Sequence, residues 1–300
     1  MSILEEGAVA AFLGLHENHR KGPRPVAVFD CDGTVIQGDI GEAMFYRQIE
    51  HFHFRRSPAV LWPDYPRAGE LARLYDELAP LDPAARAGNP GFGAFAGLLL
   101  SRYFDQIEQG AVAKACADIV RLFAGYTPAE VRELARETFE EEISSPMGTR
   151  RLGTRTLPRG ARYIRESVDL IGALTLRGFD VWAVSGSNRW SVEPVFRRFG
   201  VPPERVIGID LEVRDGILTE RTAGPVPIRA GKIDALRQST PAVPLLCASD
   251  SRNDIPLLLY SSGLKVRINS RKRDTADFFR SAGIVPDESW VLVESPHIME

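Results

Sequence analysis

Cysteine is scarce in this 300-residue chain, which carries only Cys31, Cys116 and Cys247. An odd, widely spaced set, two of them inside apolar strand-like runs, excludes a disulfide framework and offers no zinc-ligand spacing. It fits a reducing cytoplasm. Surplus charge is also missing, because 37 Lys and Arg face 40 Asp and Glu, for a net charge of −3. A general nucleic-acid binder needs a basic surface to displace phosphate counterions, so the expected partner is a small molecule and not a nucleic acid. No apolar run is long enough to span a bilayer. The longest near the start, Ala8 to Leu15, is short and follows Glu5 and Glu6 where a secretory signal would be positive, so no membrane partner is expected. The length suits one large or two medium domains with a substantial interior.

What the chain does have is Val26-Ala-Val-Phe-Asp-Cys-Asp-Gly-Thr-Val35. Four apolar residues ending at an Asp-Cys-Asp-Gly turn read as a buried parallel strand. Asp30 and Asp32 then stand at its carboxyl end, where open α/β sheets bind ligands. Two acids that close repel each other when ionised, and a hard dication such as Mg²⁺ is the ordinary way to hold them. Asp30 would be an anionic nucleophile toward a phosphoryl group, with Asp32 near enough to protonate the departing oxygen.

Three further segments follow in order: Ser185 in Val181-Trp-Ala-Val-Ser-Gly186, Lys232 in Gly231-Lys-Ile, and Asp250-Ser-Arg-Asn-Asp254. Together with Asp30-Cys-Asp-Gly-Thr34 they resemble the four motifs of the haloacid dehalogenase (HAD) superfamily, in its phosphoserine phosphatase-like branch with a type 1 cap. The resemblance implies a three-layer Rossmann-like α/β core with a mostly parallel sheet, and an all-helical cap inserted after the first strand. It implies Mg²⁺ held by Asp30, Asp32 through its backbone carbonyl, and Asp250, with Asp254 assisting. Asp30, Asp32, Ser185 and Lys232 would be catalytic; Gly33, Ser185, Gly186 and Lys232 would hold the phosphate. Relatives usually carry Gly where Ser249 stands. The implied activity is phosphomonoester hydrolysis through an aspartyl phosphate.

Asp39, followed by Glu42, is a capping-box pattern that opens a helix. In the branch the chain resembles, the acid at this offset faces the substrate and can meet a cationic nitrogen, so Asp39 has two readings, cap and substrate contact. From Gly41 to about Thr156 the pattern predicts helices only, over 43–49, 70–78, 95–104, 111–123 and 128–143, with loops at Pro58–Pro66 and Pro80–Gly93. The expected division is therefore a core of residues 1–40 and 157–300 and a cap of 41–156. Phe45, Tyr46, Phe52, Phe54, Trp62 and Tyr65 read as core packing, with an aromatic box for a quaternary ammonium as the sharper alternative. His51 and His53, placed on a helix, would point apart. Glu137, Glu140, Glu141 and Glu142 read as a solvated face, and the Arg150–Arg165 run as a hydrated hinge.

Beyond the hinge, Leu157-Pro-Arg-Gly160 is expected to open a helix to about Leu176, with strands at 179–184, 244–248, 265–268 and 290–293. A hairpin is expected about Arg214-Asp-Gly216, and helices over 232–238 and 274–282. An N-terminal amphipathic helix should end near His19, with Lys21-Gly-Pro-Arg-Pro25 as linker. The substrate expected is a small phosphate ester, first one with a cationic nitrogen such as phosphoserine or phosphocholine, second a sugar phosphate. A phosphotransferase would use the same residues. A metal-free dehalogenase, or a receiver-like phosphate-binding module without turnover, is disfavoured by Asp32.

Overall fold

A computed structural model describes residues 3–16 and 23–300. The N-terminal helix is Gly7–Leu15 after one 3-10 turn at Ile3–Glu5. The predicted end near His19 and the start of the linker, Lys21 and Gly22, lie outside the described residues.

Six strands form one parallel sheet: β1 (Val26–Phe29), β2 (Asp180–Asn188), β3 (Val206–Ile209), β4 (Leu246–Ser249), β5 (Leu264–Ile268) and β6 (Trp290–Val293). Their order is β6-β5-β4-β1-β2-β3. β1 and β4 are buried along their whole length, as unbroken apolar runs in a covered parallel sheet must be. Alternation divides them between two layers. Ala27 and Phe29 pack with Leu170, Leu174, Val195 and Phe196, whereas Val26 and Val28 pack with Leu236, Leu257 and Phe278. The sheet is the middle of a three-layer core.

Register decides where the chemistry can lie. Phe29 pairs with Ala248 on one side and with Ala183 on the other. The residues just beyond these, Asp30, Ser249-Asp250 and Ser185, therefore emerge side by side at the switch point where the chain leaves β1 in both directions. β2 continues past the predicted end at Val184 to Asn188, with a register shift on β3 over the Ser185–Ser187 stretch.

Between β1 and β2 the chain makes a two-residue strand, Ile36–Gln37, and then a helical insertion. Its principal members are α1 (Ile40–Glu50), Ala68–Leu78, α2 (Pro90–Glu108), α3 (Val112–Arg121) and α4 (Pro128–Ser144). These bury a cluster of their own that includes Leu71, Leu74, Phe95, Leu99 and Val131. Two predicted loops contain short helices, Pro58–Leu61 and Pro83–Gly88, and α2 begins at Pro90. The prolines there are N1 residues behind Ser57, Asp82 and Asn89, a start signal rather than a break.

The insertion is not helical to its end. Gly148–Leu152 and Arg155–Arg159 form an antiparallel hairpin, so the helix expected from Leu157 begins only at Arg165. The hinge is also drier than its composition suggests. Arg150 is buried against Glu142 and Glu50, and Glu142 accepts from Gly160 N at 2.6 Å, so neither belongs to a solvated face. Arg162 donates to the carbonyls of Ile143 and Ser145. The predicted hairpin turn at Asp215-Gly216 is present, joining Leu211–Arg214 to Ile217–Thr222. No described helix is long and apolar enough to cross a membrane.

The insertion meets the core at Gly41. A Cβ there would lie 2.3 Å from Ser187 Oγ and 2.7 Å from its Cβ, so only Gly lets α1 seat on the end of β2. Gly41→Ala should destabilise the protein by about 1–3 kcal/mol through overpacking. Urea unfolding measures this, and an unchanged midpoint would show that the contact yields freely.

Candidate functional site

Asp30 follows β1, and its backbone N–H donates to Ala248 O at 2.9 Å, fixing it against β4. Its Oδ1 accepts from Lys232 Nζ at 2.7 Å, while Oδ2 meets only a long 3.4 Å contact from Thr34 Oγ1. Lys232 sits in the first turn of α5 (Gly231–Ser239) and is 2% exposed. It also donates to Asp254 Oδ2 at 2.8 Å. Burial works against its charge, but Asp254 and Asp30 outweigh that and raise its pKa. Ser249 donates to the same Asp254 oxygen at 2.6 Å, so the residue that departs from the usual Gly helps order the loop.

Asp32 faces the other way. Its Oδ1 accepts from Ile40 N, in the first turn of α1, at 2.7 Å; its Oδ2 accepts from Ser187 Oγ at 2.7 Å and, more weakly, from Ser185 Oγ at 3.4 Å. The carboxyl is thus committed to the junction between the strand tips and the insertion. Burial, reinforced by Asp39 and Asp30, raises its pKa well above the carboxylate range, as suits a group that must hold a proton. Ser185 Oγ in turn accepts from Ser187 N at 3.0 Å.

Asp250 is the exposed nerve of the site. Both its carboxylate oxygens are buried without a hydrogen-bond donor, and its nearest counter-charge is Arg271 Nε at 2.9 Å. Burial raises its pKa to about 6, with Arg271 pulling the other way, and burial likewise raises Asp30 to about 7 against the pull of Lys232. Gly33 makes the approach possible. At φ +81° its Cα faces Asp250 so closely that a Cβ would lie 2.5 Å from Oδ2.

These features fit a hard dication. Orphaned buried carboxylate oxygens with raised pKa values are what a cation would satisfy and reverse. Among the described residues no three His, Cys, Asp or Glu side chains form a ready cluster. Asp32 has both carboxylate oxygens on protein donors, whereas Asp30 and Asp254 each spend one, on Lys232 and on Lys232 with Ser249, and Asp250 spends neither. The side chains on offer are therefore Asp250 and Asp30, with Asp254 behind them.

One cavity of about 280 Å³ joins these groups to the insertion; Asp30, Asp32, Ser185, Gly186, Lys232, Asp250 and Asp254 all line it. Asp39 caps α1 as read, its Oδ1 accepting from Glu42 N at 2.9 Å, and it also lines the cavity. Glu42, read only as part of a capping box, instead accepts from Tyr46 Oη at 2.7 Å and Tyr103 Oη at 3.0 Å. Sequence reasoning missed Ser187, Arg271, Glu42 and Tyr103 as site residues. Ser187 alone had a signal, as the second hydroxyl of Ser185-Gly-Ser187. The six aromatics form no box: Tyr46, Phe52, Phe54 and Trp62 are buried in the insertion's core, Tyr65 packs on it, and Phe45, also of that core, alone among the six lines the cavity. His51 and His53 lie beyond the end of α1, with rings stacked at 5.4 Å rather than pointing apart.

Burial and the neighbouring Asp39 raise the pKa of Glu42 from 4.5 to about 7, despite the two tyrosine hydrogen bonds. A carboxyl whose folded pKa is raised favours folding below its unfolded value and forfeits that as pH climbs through the folded one. Glu42→Gln should therefore gain stability relative to wild type between pH 5 and pH 8, by on the order of 1–3 kcal/mol. Thermal melts at both pH values test this, and a difference independent of pH would contradict it.

Comparison with known proteins agrees with this geometry. Phosphoserine phosphatase SerB2 of Mycobacterium tuberculosis is 38% identical over 112 residues, 34% of this chain; the chain thus covers 27% of that protein. A conserved protein of unknown function from Anaerococcus prevotii shares the fold with a TM-score of 0.72 at 20% identity, over 88% of this chain and 85% of that one. A Bordetella pertussis protein of unknown function does so at 0.55 and 18%, over 91% and 99%. The family model for haloacid dehalogenase-like hydrolases matches residues 27–259, most of the sheet and the whole insertion. The chain belongs to the haloacid dehalogenase-like hydrolase family.

Proposed function

We propose that the protein is a phosphomonoester hydrolase of the phosphoserine phosphatase-like branch, dependent on Mg²⁺ and working through an aspartyl phosphate on Asp30. The observation that carries this is the placement of Asp30, Lys232 and Asp250 around one cavity, with the buried Asp32 carboxyl at its edge.

Asp30 and Asp250, with the Asp32 backbone carbonyl, would hold the dication. When bound it supplies positive charge that neutralises these carboxylates and the phosphate oxygens. Asp30, through its less engaged Oδ2, forms the new bond to phosphorus as the ester P–O bond breaks. The departing alkoxide takes the proton of Asp32, which Ile40 N and Ser187 keep aimed across the junction. Asp32, now ionised, accepts a proton from water as that water attacks phosphorus, freeing phosphate and restoring Asp30. Lys232, Ser185 and the backbone at Gly186 stabilise the equatorial oxygens; the Gly33 N–H, expected to join them, is spent on Ile36 O at 2.8 Å. Asp254 acts one step back, holding Lys232 in place. Residues 41–156 serve as the cap and the two flanking segments as the catalytic core.

Asp30→Asn should abolish metal-dependent hydrolysis of an aryl phosphate, and Lys232→Ala should lower turnover by about 10²–10³-fold. Excess chelator should stop the wild-type reaction, with Mg²⁺ restoring it. Activity that survives the chelator, or the loss of the Asp30 carboxylate, would overturn the reading.

A further inference from the structure

The cavity has two unlike halves. On the core side its wall is charged and hydrogen bonding, and it carries every cation that lines it, namely Lys232, Arg271 and Arg273. On the insertion side α3 presents Val112, Cys116, Ile119 and Val120, at offsets of four, seven and eight that place them on one helical face. Ile107 and Tyr103 of α2, Phe45 of α1 and Phe123, just past α3, extend that wall, the Tyr103 hydroxyl being held by Glu42. Ile119, Val120 and Phe123 are buried members of the insertion's core that also border the cavity, whereas Ile107, Val112 and Cys116 keep partly exposed surface there. The only ionisable carboxyls on this side are Asp39 and Glu42. None of the described lining residues of the insertion is Lys, Arg or His.

Resting on the hydrolase reading above, we propose that the substrate is the phosphate ester of an alcohol with an alkyl or aryl body and no acidic group, that body seating against Ile107, Val112, Ile119, Val120 and Phe123. A second anionic group beyond the ester oxygen would face Asp39 and Glu42 with no counter-charge from the insertion, and would cost affinity accordingly. Phosphoserine, whose ammonium and carboxylate would both have to leave water beside this apolar wall, is therefore a poorer fit in spite of the local similarity to a phosphoserine phosphatase. A sugar phosphate fares no better, because the polar groups on this side are few and Glu42 and Tyr103 already bond each other, so most of its hydroxyls would lie against apolar side chains. The apolar wall, by contrast, gains from being covered.

The test assays methyl, n-propyl and n-hexyl phosphate, O-phosphoserine and a hexose phosphate with the Mg²⁺-loaded full chain. Calorimetry with the matching alkylphosphonates, which cannot be hydrolysed, runs alongside. The proposal expects kcat/KM and phosphonate affinity both to rise about three- to fourfold per methylene until the cavity fills, the increment for burying a CH₂ group. Phosphoserine should fall below n-propyl phosphate. Ile119→Asn should flatten the slope with chain length, a ratio within one preparation that partial unfolding does not alter. Flat chain-length dependence in binding, or phosphoserine as the best substrate, overturns the proposal while leaving the hydrolase reading intact. Graded phosphonate binding without turnover of any ester supports the apolar subsite and instead sinks the hydrolase reading.

Discussion

The constraint on which the site depends is a buried ammonium placed between two buried carboxylates. Lys232 lies 2.7 Å from Asp30 and 2.8 Å from Asp254, and all three are at most 5% exposed. Losing one partner of such a set leaves uncompensated charge in the interior, at about 3–5 kcal/mol. Attraction here spans more than two hundred residues of sequence and fixes the loop after β1 to α5 and to the loop after β4. The arrangement still remains short of positive charge. Asp250 keeps two oxygens with no hydrogen-bond donor, and Arg271 approaches it only as an ion partner. A site that holds its carboxylates together and leaves this deficit is organised to receive a cation and an anionic ligand at once.

On the proposed mechanism, chemistry and selection are divided between the two parts of the chain. The sheet supplies the reacting groups from adjacent strand tips, because β1 is flanked by β4 and β2 in matched register. The insertion contributes no reacting group, yet it is coupled to one. Asp32 accepts from Ile40 N in the first turn of α1, where the helix dipole adds to the hydrogen bond, and Gly41 lets that same turn touch Ser187. Any rigid displacement of α1 would therefore change the environment of the Asp32 carboxyl. In this way the helices that line the cavity are mechanically linked to Asp32, the acid of the proposed mechanism.

Much of this could be read in advance because it depends on local pattern. A run such as Val26–Phe29 before two acids has few folds available, and the helix 128–143 opens on a capping box at Thr127 and carries an apolar periodicity that needs no tertiary context. What was illegible falls into two kinds. Proline was ambiguous, since Pro58, Pro83 and Pro90 begin helices only because of the residue before each, and the same letters also describe loops. Burial of charge was the other. Arg150 and Glu142 look hydrated in sequence, and only packing of the hairpin Gly148–Arg159 against α4 makes them an interior pair. Glu42, Tyr103 and Arg271 belong to the same kind, because three distant segments must close before any of them shares a cavity with Asp30.

The central claim is that Asp30 itself carries the phosphoryl group during turnover, and acid quenching of the Mg²⁺-loaded enzyme with a radiolabelled phosphoester tests it most directly. The account predicts label on the protein that is stable to acid, released by hydroxylamine as an acyl phosphate should be, and absent from Asp30→Asn. Product formed with no label on the wild-type protein, or label persisting after Asp30→Asn, would contradict it.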